Sequence, residues 1–279
     1  MRILLTGRNG QVGWELERAL APLGEMIATD RSTLDLTSEE QIRSVVRAVK
    51  PNVIVNAAAY TAVDKAESEP ELAMRINGFA PGVLAEEAKR LGALLVHYST
   101  DYVFDGEKAT PYDEDDEPNP INVYGRTKLE GERAVKASGC RHLVLRTSWV
   151  YGARGKNFLL TMLRLARERS ELRVVDDQVG APTSSGAIAR ATAQCLRRNA
   201  QGLYHFAAAG RVSWCGFARA ILARARIDTP VVAIRSEDYP TPARRPRNSC
   251  LDCSRLRADC GVSIASWEEM LTEVNFASL

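Results

Sequence analysis

Short runs of consecutive apolar residues alternate with longer amphipathic stretches through the first half of the chain. Ile3-Leu4-Leu5 predicts a strand, and about Val12 to Leu23 predicts a helix. Met26-Ile27-Ala28-Thr29 reads as a second strand. Ser38 is placed to cap a helix that runs to about Val49, with Pro51 just beyond its end. Val53-Ile54-Val55 is a third strand, Pro70 to about Leu91 a helix stopped by Gly92, and Ala93 to Tyr98 a fourth strand. Strand and helix alternating at this spacing imply right-handed crossovers and a parallel sheet. The strand runs are apolar throughout rather than alternating, as expected when both faces of a sheet are covered.

The pattern loosens after Tyr151. Helices are predicted for Phe158 to Arg169, Gly186 to Arg198 and Ser213 to Ala225, and strands for Leu172 to Val175 and Leu203 to Phe206. Proline and arginine then crowd into Tyr239 to Arg247. The expected division is a nucleotide-binding part over 1–150, with 185–230 returning to it. A discontinuous lobe of 151–184 and 231–279 would complete the chain.

The first strand runs directly into Thr6-Gly7-Arg8-Asn9-Gly10-Gln11-Val12-Gly13. Glycines at every third position, between a strand and a helix, suit a dinucleotide phosphate turn. Gly7 makes the tight turn, Gly10 admits a pyrophosphate, and Gly13 allows close helix packing. The helix N-terminus adds free N–H groups and partial positive charge. Asp30 ends the second strand, where an acid binds the adenosine ribose hydroxyls; Arg31 beside it suits a 2′-phosphate, leaving NADH and NADPH both open. The fold class expected is therefore α/β, a Rossmann-like doubly wound parallel sheet with a smaller C-terminal substrate-binding lobe.

Tyr124-Gly125-Arg126-Thr127-Lys128 places Tyr and Lys four residues apart, on one face of a helix that Asn122 would cap and Gly139 would end. A tyrosine of pKa about 10 is a sluggish proton donor at neutral pH. An ammonium about 4 Å away, at an effective dielectric near 20, favours the phenolate by about 4 kcal/mol, which brings the phenol towards 7. Desolvation pulls the other way, so this figure is an upper bound. Ser99-Thr100-Asp101 follows the fourth strand, at the carboxyl end of the sheet where ligands bind.

Composition adds exclusions. A net charge of +2 gives no reason to expect a nucleic-acid or membrane surface. No apolar run approaches a membrane span, and the N-terminal one breaks at Gly7, so the expected location is cytoplasmic. Without a secretory signal the six cysteines are expected as reduced thiols. Cys250, Cys253 and Cys260 lack a nearby histidine to complete a zinc set, and no metal is expected there. The run Asp113-Glu114-Asp115-Asp116-Glu117 reads as a solvated loop.

These residues resemble the extended short-chain dehydrogenase/reductases, and more closely the dTDP-4-dehydrorhamnose reductase family. The resemblance is carried by TGRNGQVGWEL from Thr6, NAAAYTAVDKAE from Asn56, HYSTDYVFDG from His97, NVYGRTKLEGE from Asn122, RTSWVYG from Arg146, DQVGAPT from Asp177 and YPTPARRPRNS from Tyr239. It implies NAD(P)H-dependent reduction of the C4 keto group of a dTDP-linked 4-keto-6-deoxysugar. By resemblance Tyr124 donates the proton, Lys128 is its partner, and Thr100 binds the carbonyl. Asp101 and Trp149 would touch the sugar. Gly10, Gln11, Val12, Asp30, Asp35, Leu36, Ala59, Tyr60, Thr61 and Tyr98 would line the cofactor. Arg244 and Arg245, with Arg247 nearby, form a basic cluster suited to a diphosphate. Some relatives join subunits through Mg²⁺ on glutamates. Glu15 and Glu273 match two of these positions but Gly186 stands at the third, which disfavours a metal-bridged dimer and leaves a homodimer of another kind open.

Two other readings compete. One is an epimerase or dehydratase of the same superfamily; a dehydratase would want additional acid and base residues beside Thr100, and although Asp101 follows, Tyr102 stands where a second acid would be expected. A non-catalytic cofactor-binding subunit commonly lacks the Tyr or the Lys, and this chain has both.

Overall fold

The computed structural model describes residues 1–276 and Leu279. Its first half runs β1 (Arg2–Thr6), α1 (Gln11–Leu20), β2 (Glu25–Ala28), α2 (Glu39–Val49), β3 (Val53–Asn56), α3 (Val63–Ala66), α4 (Pro70–Met74), a π turn (Arg75–Phe79), α5 (Ala80–Leu91), β4 (Leu94–Thr100), α6 (Val123–Ser138) and β5 (Arg141–Thr147). There follow β6 (Val150–Tyr151), α7 (Phe158–Glu168), β7 (Leu172–Val175), β8 (Val179–Gly180), β9 (Thr183–Ser184), α8 (Ser185–Arg197), β10 (Gly202–His205), β11 (Val212–Ser213), α9 (Trp214–Ala225), β12 (Val231–Ile234), α10 (Ser254–Cys260) and α11 (Trp267–Thr272).

Six strands form one parallel sheet in the order β10-β5-β4-β3-β1-β2. Side chains alternate across it. Ile3, Leu5, Val55, Val96 and Leu145 pack with Leu16 and Leu20 of α1 and Ile188 of α8. Leu4, Ile54, Leu95 and Val144 pack with Ile42 and Val46 of α2 and Leu84 of α5. Each fully buried aliphatic side chain here contributes about 1.5–3 kcal/mol. Both faces are thus covered, the physical reason that runs such as Ile3-Leu4-Leu5 and Val53-Ile54-Val55 are apolar without alternation. β2 and β3 flank β1 on opposite sides, so the chain reverses direction across the sheet at β1 and opens a crevice at its carboxyl edge.

A third cluster, with Leu159 and Leu163 of α7, Leu172 of β7, and Phe217 and Ile221 of α9, forms the lobe. In 185–230, expected to return to the sheet as one piece, α8 packs on α1 and β10 extends the sheet beside β5. α9 instead packs on α7, β7 and β12 in the lobe.

Two local expectations change. The helix expected over Pro70–Leu91 is interrupted by the π turn. There Asn77 turns inward: its Oδ1 accepts from the Tyr60 N–H at 2.8 Å and its Nδ2 donates to the Tyr60 carbonyl at 3.0 Å. The acidic run is not merely solvated. Glu114 is buried and accepts from the His205 N–H at 2.8 Å, because β10 emerges beneath it. Burial raises its pKa. The six cysteines are buried and unpaired, with Cys253 Sγ accepting from the Ala207 N–H.

Candidate active site

One cavity of about 870 Å³ lies along the carboxyl edge of the sheet. It brings together Gly7, Gly10, Gln11, Val12, Asp30, Arg31, Asp35, Leu36, Ala59, Tyr60, Thr61, Tyr98, Thr100, Asp101, Tyr124, Lys128 and Trp149, all expected from the sequence. The glycine turn accounts for one end. Gly7 has φ +73°, and a Cβ on it would stand 2.8 Å from the Ala58 backbone. The Gly10 N–H donates to the Gly7 carbonyl at 2.9 Å, and Gly10 opens α1. Gly13 does not reach the cavity lining. A Cβ there would lie 2.0 Å from the Gly7 carbonyl oxygen, so this glycine packs the helix on the turn itself rather than on the sheet.

Asp30 is preorganised at the adenosine end. Its carboxylate accepts from the Ser32 hydroxyl at 2.6 Å and the Ser32 N–H at 2.9 Å, and from Asn9 Nδ2 at 3.1 Å. These bonds, those of Ser32 foremost, hold its pKa below the ordinary carboxylate value. Asp35 is held likewise by the Thr37 N–H and hydroxyl, each at 2.9 Å.

At the other end α6 carries Tyr124 and Lys128. Asn122 caps the helix by accepting from the Gly125 N–H at 2.7 Å. A Cβ on Gly125 would approach the Tyr102 carbonyl to 2.1 Å, so glycine lets α6 lie against the turn that follows β4. The Tyr124 hydroxyl faces Thr100. Burial pushes the phenol up to about 12; the bond to Thr100 works against this and the charge of Asp101 adds to it. The sequence expectation of a phenol drawn towards 7 by Lys128 is not met: burial is the largest influence on Tyr124, and the Lys128 ammonium is not among the groups that shift it. Lys128 is buried, which lowers its pKa to about 8. Its Nζ donates to the Tyr98 carbonyl at 2.6 Å and lies 3.5 Å from His97 Nε2.

The Thr100 hydroxyl donates to Asp101 Oδ1 at 2.9 Å, and Ser148 donates to Asp101 Oδ2 at 2.9 Å. The neighbouring Ser99 hydroxyl is buried without a partner. Burial raises the Asp101 carboxyl to about 6 despite these donors. Its folded pKa exceeds the ordinary 3.8, so the unfolded chain releases this proton first and stability falls as pH rises from about 4 to about 6. Asp101→Asn is predicted to remove that loss, on the order of 3 kcal/mol at pH 8. Chemical denaturation of both forms at pH 4 and pH 8 checks this; an equal difference at both pH values would exclude it.

Several lining residues carried no sequence signal. Trp214 stacks on Trp149 with ring centres 3.4 Å apart, and Trp149 donates from Nε1 to Ser249 at 3.0 Å. Trp149 has φ +45°, and its ring fills the place where a Cβ on Gly180 would lie. Lys156 and Gly155 reach the cavity on a loop tied to the glycine turn by Asn157 Nδ2 donating to Gln11 Oε1 at 2.9 Å. These contacts join residues far apart in sequence, so no spacing announces them. Arg244 and Arg245 do not line the cavity. Arg245 forms a bidentate pair with Asp64, at 2.7 and 3.0 Å, and pins its loop beside α3. Glu273 is held by Arg190 at 2.6 Å, and no group of three or more His, Cys, Asp or Glu converges among the described residues. Nor is any helix among them long and apolar enough to cross a membrane.

A family model described as the RmlD substrate binding domain matches residues 1–277. A dTDP-4-dehydrorhamnose reductase of Burkholderia thailandensis is 50% identical, the match covering 96% of this chain and 95% of that protein. The chain belongs to the dTDP-4-dehydrorhamnose reductase family. A solved member of this family from Bacillus anthracis, in complex with NADP, superposes with a TM-score of 0.94 at 38% identity, covering 98% of this chain and 97% of that one. Another from Clostridium acetobutylicum gives 0.95 at 43% identity, covering 98% of each. Members of this reductase family are NAD(P)-dependent oxidoreductases, and the crevice at the β1 switch point is where their fold binds the dinucleotide.

Proposed function

We propose that this chain uses NAD(P)H to reduce the C4 keto group of dTDP-6-deoxy-L-lyxo-4-hexulose, giving dTDP-L-rhamnose. The observation that carries this reading is the single cavity joining a glycine turn at one end to Tyr124, Lys128 and Thr100 at the other. In this reading residues 1–150, with α8 and β10, hold the dinucleotide, and the lobe of 151–184 and 231–279, with α9, closes over the sugar nucleotide.

The residues present fit a dinucleotide. The turn that a Cβ on Gly7 would fill leaves N–H groups at the head of α1 for a diphosphate. Asp30 suits ribose hydroxyls and Arg31 a 2′-phosphate, so either nicotinamide dinucleotide is accommodated; the Bacillus anthracis relative was solved with NADP. Lys128 would hold the nicotinamide ribose. Bound there, the reduced nicotinamide supplies the hydride. Tyr124 supplies the proton. With its pKa near 12 it is fully protonated at neutral pH, and the alkoxide that hydride arrival creates is a much stronger base than its phenolate. Thr100 orients the carbonyl oxygen. Its one hydroxyl proton now goes to Asp101, so donating to a substrate requires that bond to turn.

Oxidation of NADH or NADPH on addition of the dTDP-4-keto sugar tests the activity directly, and no oxidation with either cofactor would overturn it. Lys128→Met is expected to weaken cofactor binding and to lower kcat by on the order of a hundredfold. Fluorescence titration and steady-state rates check this, and normal values of both would remove Lys128 from the role.

A further inference from the structure

A buried polar chain runs behind the cavity and ends on Lys128. Thr6 closes β1, Asn56 closes β3, and His97 sits in β4. Thr6 Oγ1 lies 2.7 Å from Asn56 Oδ1, and Asn56 Nδ2 lies 3.1 Å from His97 Nδ1. His97 Nε2 lies 3.5 Å from Lys128 Nζ. All four residues are at most 2% exposed. The strand register places Asn56 beside both Thr6 and His97.

The donors in this chain cannot all be satisfied with the Asn56 amide in that orientation. If Nδ2 donates to His97 Nδ1, a neutral ring carries its proton on Nε2, which then faces a charged ammonium with no acceptor between them. Turning the amide over keeps every heavy-atom distance and removes the conflict. Lys128 then donates to Nε2, Nδ1–H donates to Asn56 Oδ1, and Asn56 Nδ2 donates to Thr6 Oγ1. Thr6 Oγ1 also accepts from the Ala58 N–H at 3.3 Å, so its own proton is released at the root of the glycine turn. With Lys128 neutral the opposite direction is the satisfied one.

We infer that His97 is a positioning residue, a neutral imidazole that accepts from the Lys128 ammonium and couples its charge, through Asn56 and Thr6, to the cofactor turn. This rests on the role proposed for Lys128. The ring itself stays neutral, because burial and then the Lys128 charge lower its pKa well below the ordinary value. The charged groups around Lys128 are few. Glu132 on α6 faces it, itself paired with Arg146 of β5 at 2.7 Å, and Asp101 and Tyr124 lie across the cavity.

Nitrogen-15 NMR of the imidazoles tests the assignment on the intact protein, with only His142 and His205 to distinguish from His97. The Nδ1–H tautomer is expected for His97 at pH 7, changing to Nε2–H as Lys128 loses its proton on the alkaline side; an Nε2–H tautomer at pH 7 overturns the inference. In kinetics, Gln at position 97 can still offer an oxygen to Lys128, whereas Asn reaches only Asn56. His97→Gln should keep kcat within a few-fold, and His97→Asn should lower it on the order of tenfold. The alkaline limb of the His97→Asn rate profile should shift to lower pH by about one unit, because the charged form has lost an acceptor. Equal losses in both variants, with unshifted profiles, would make His97 structural only. Cofactor titration of the wild type separates this outcome from failure of the reductase reading, which would show as no NAD(P)H binding at all.

Discussion

Tyr124→Phe is expected to lower turnover by a hundredfold to ten-thousandfold while NAD(P)H still binds with near-normal affinity. The change removes one oxygen and keeps the ring, which packs edge-to-face against Tyr102 with centres 6.0 Å apart. The site keeps its shape and loses its proton donor. The neighbouring donors are already engaged: the Thr100 proton is given to Asp101, and Lys128 donates to the Tyr98 carbonyl. Steady-state rates, with cofactor binding followed separately, check the prediction. A variant with ordinary kcat would end the assignment. One that no longer bound cofactor would show that the hydroxyl is needed to hold the cofactor, not only to supply the proton.

The second large effect concerns stability. Glu132 and Arg146 make a bidentate pair at 2.7 and 3.0 Å, with side chains 9% and 3% exposed. Glu132→Ala leaves a buried guanidinium beside Phe104 and His205 with its carboxylate partner gone, and is expected to destabilise the fold by about 3–5 kcal/mol. Replacing both residues by Met should recover most of that loss, because the cost lies in the stranded charge rather than in the missing attraction. Glu130, paired with Arg133 on the exposed side of the same helix, provides the contrast; Glu130→Ala should cost no more than about 1 kcal/mol. Denaturant unfolding of these three variants against the wild type checks this, and equal losses for Glu130→Ala and Glu132→Ala would refute the burial argument. Glu132→Gln carries a functional readout as well. Burial depresses the Lys128 pKa and the Glu132 charge partly restores it, so neutralising Glu132 lowers it further and moves the alkaline limb of activity to lower pH.

Much of the molecule can be read from local chemistry. Apolar strands, the Ser38 and Asn122 caps, and glycine stops at Gly92 and Gly139 depend on residues a few positions apart, and each appears where its chemistry demands. The glycine turn and the Tyr–Lys pair are likewise local, and the sheet only had to bring them to one edge. What the sequence could not supply is what depends on burial and on distant partners. The phenol pKa was argued from a neighbouring charge, but desolvation, a property of the closed site, governs it. Arg245 looked like a free cation until Asp64, far back in the chain, claimed it. Trp214, Lys156, Asn77 and the chain from Thr6 to Lys128 each act through a contact made by strands or helices that meet only after folding. Sequence alone determined the order of elements and the reacting groups, because side-chain period and capping are short-range. Only the tertiary structure decided which of those groups are dehydrated, paired or free, because dielectric and hydrogen-bond competition are set by everything packed around them.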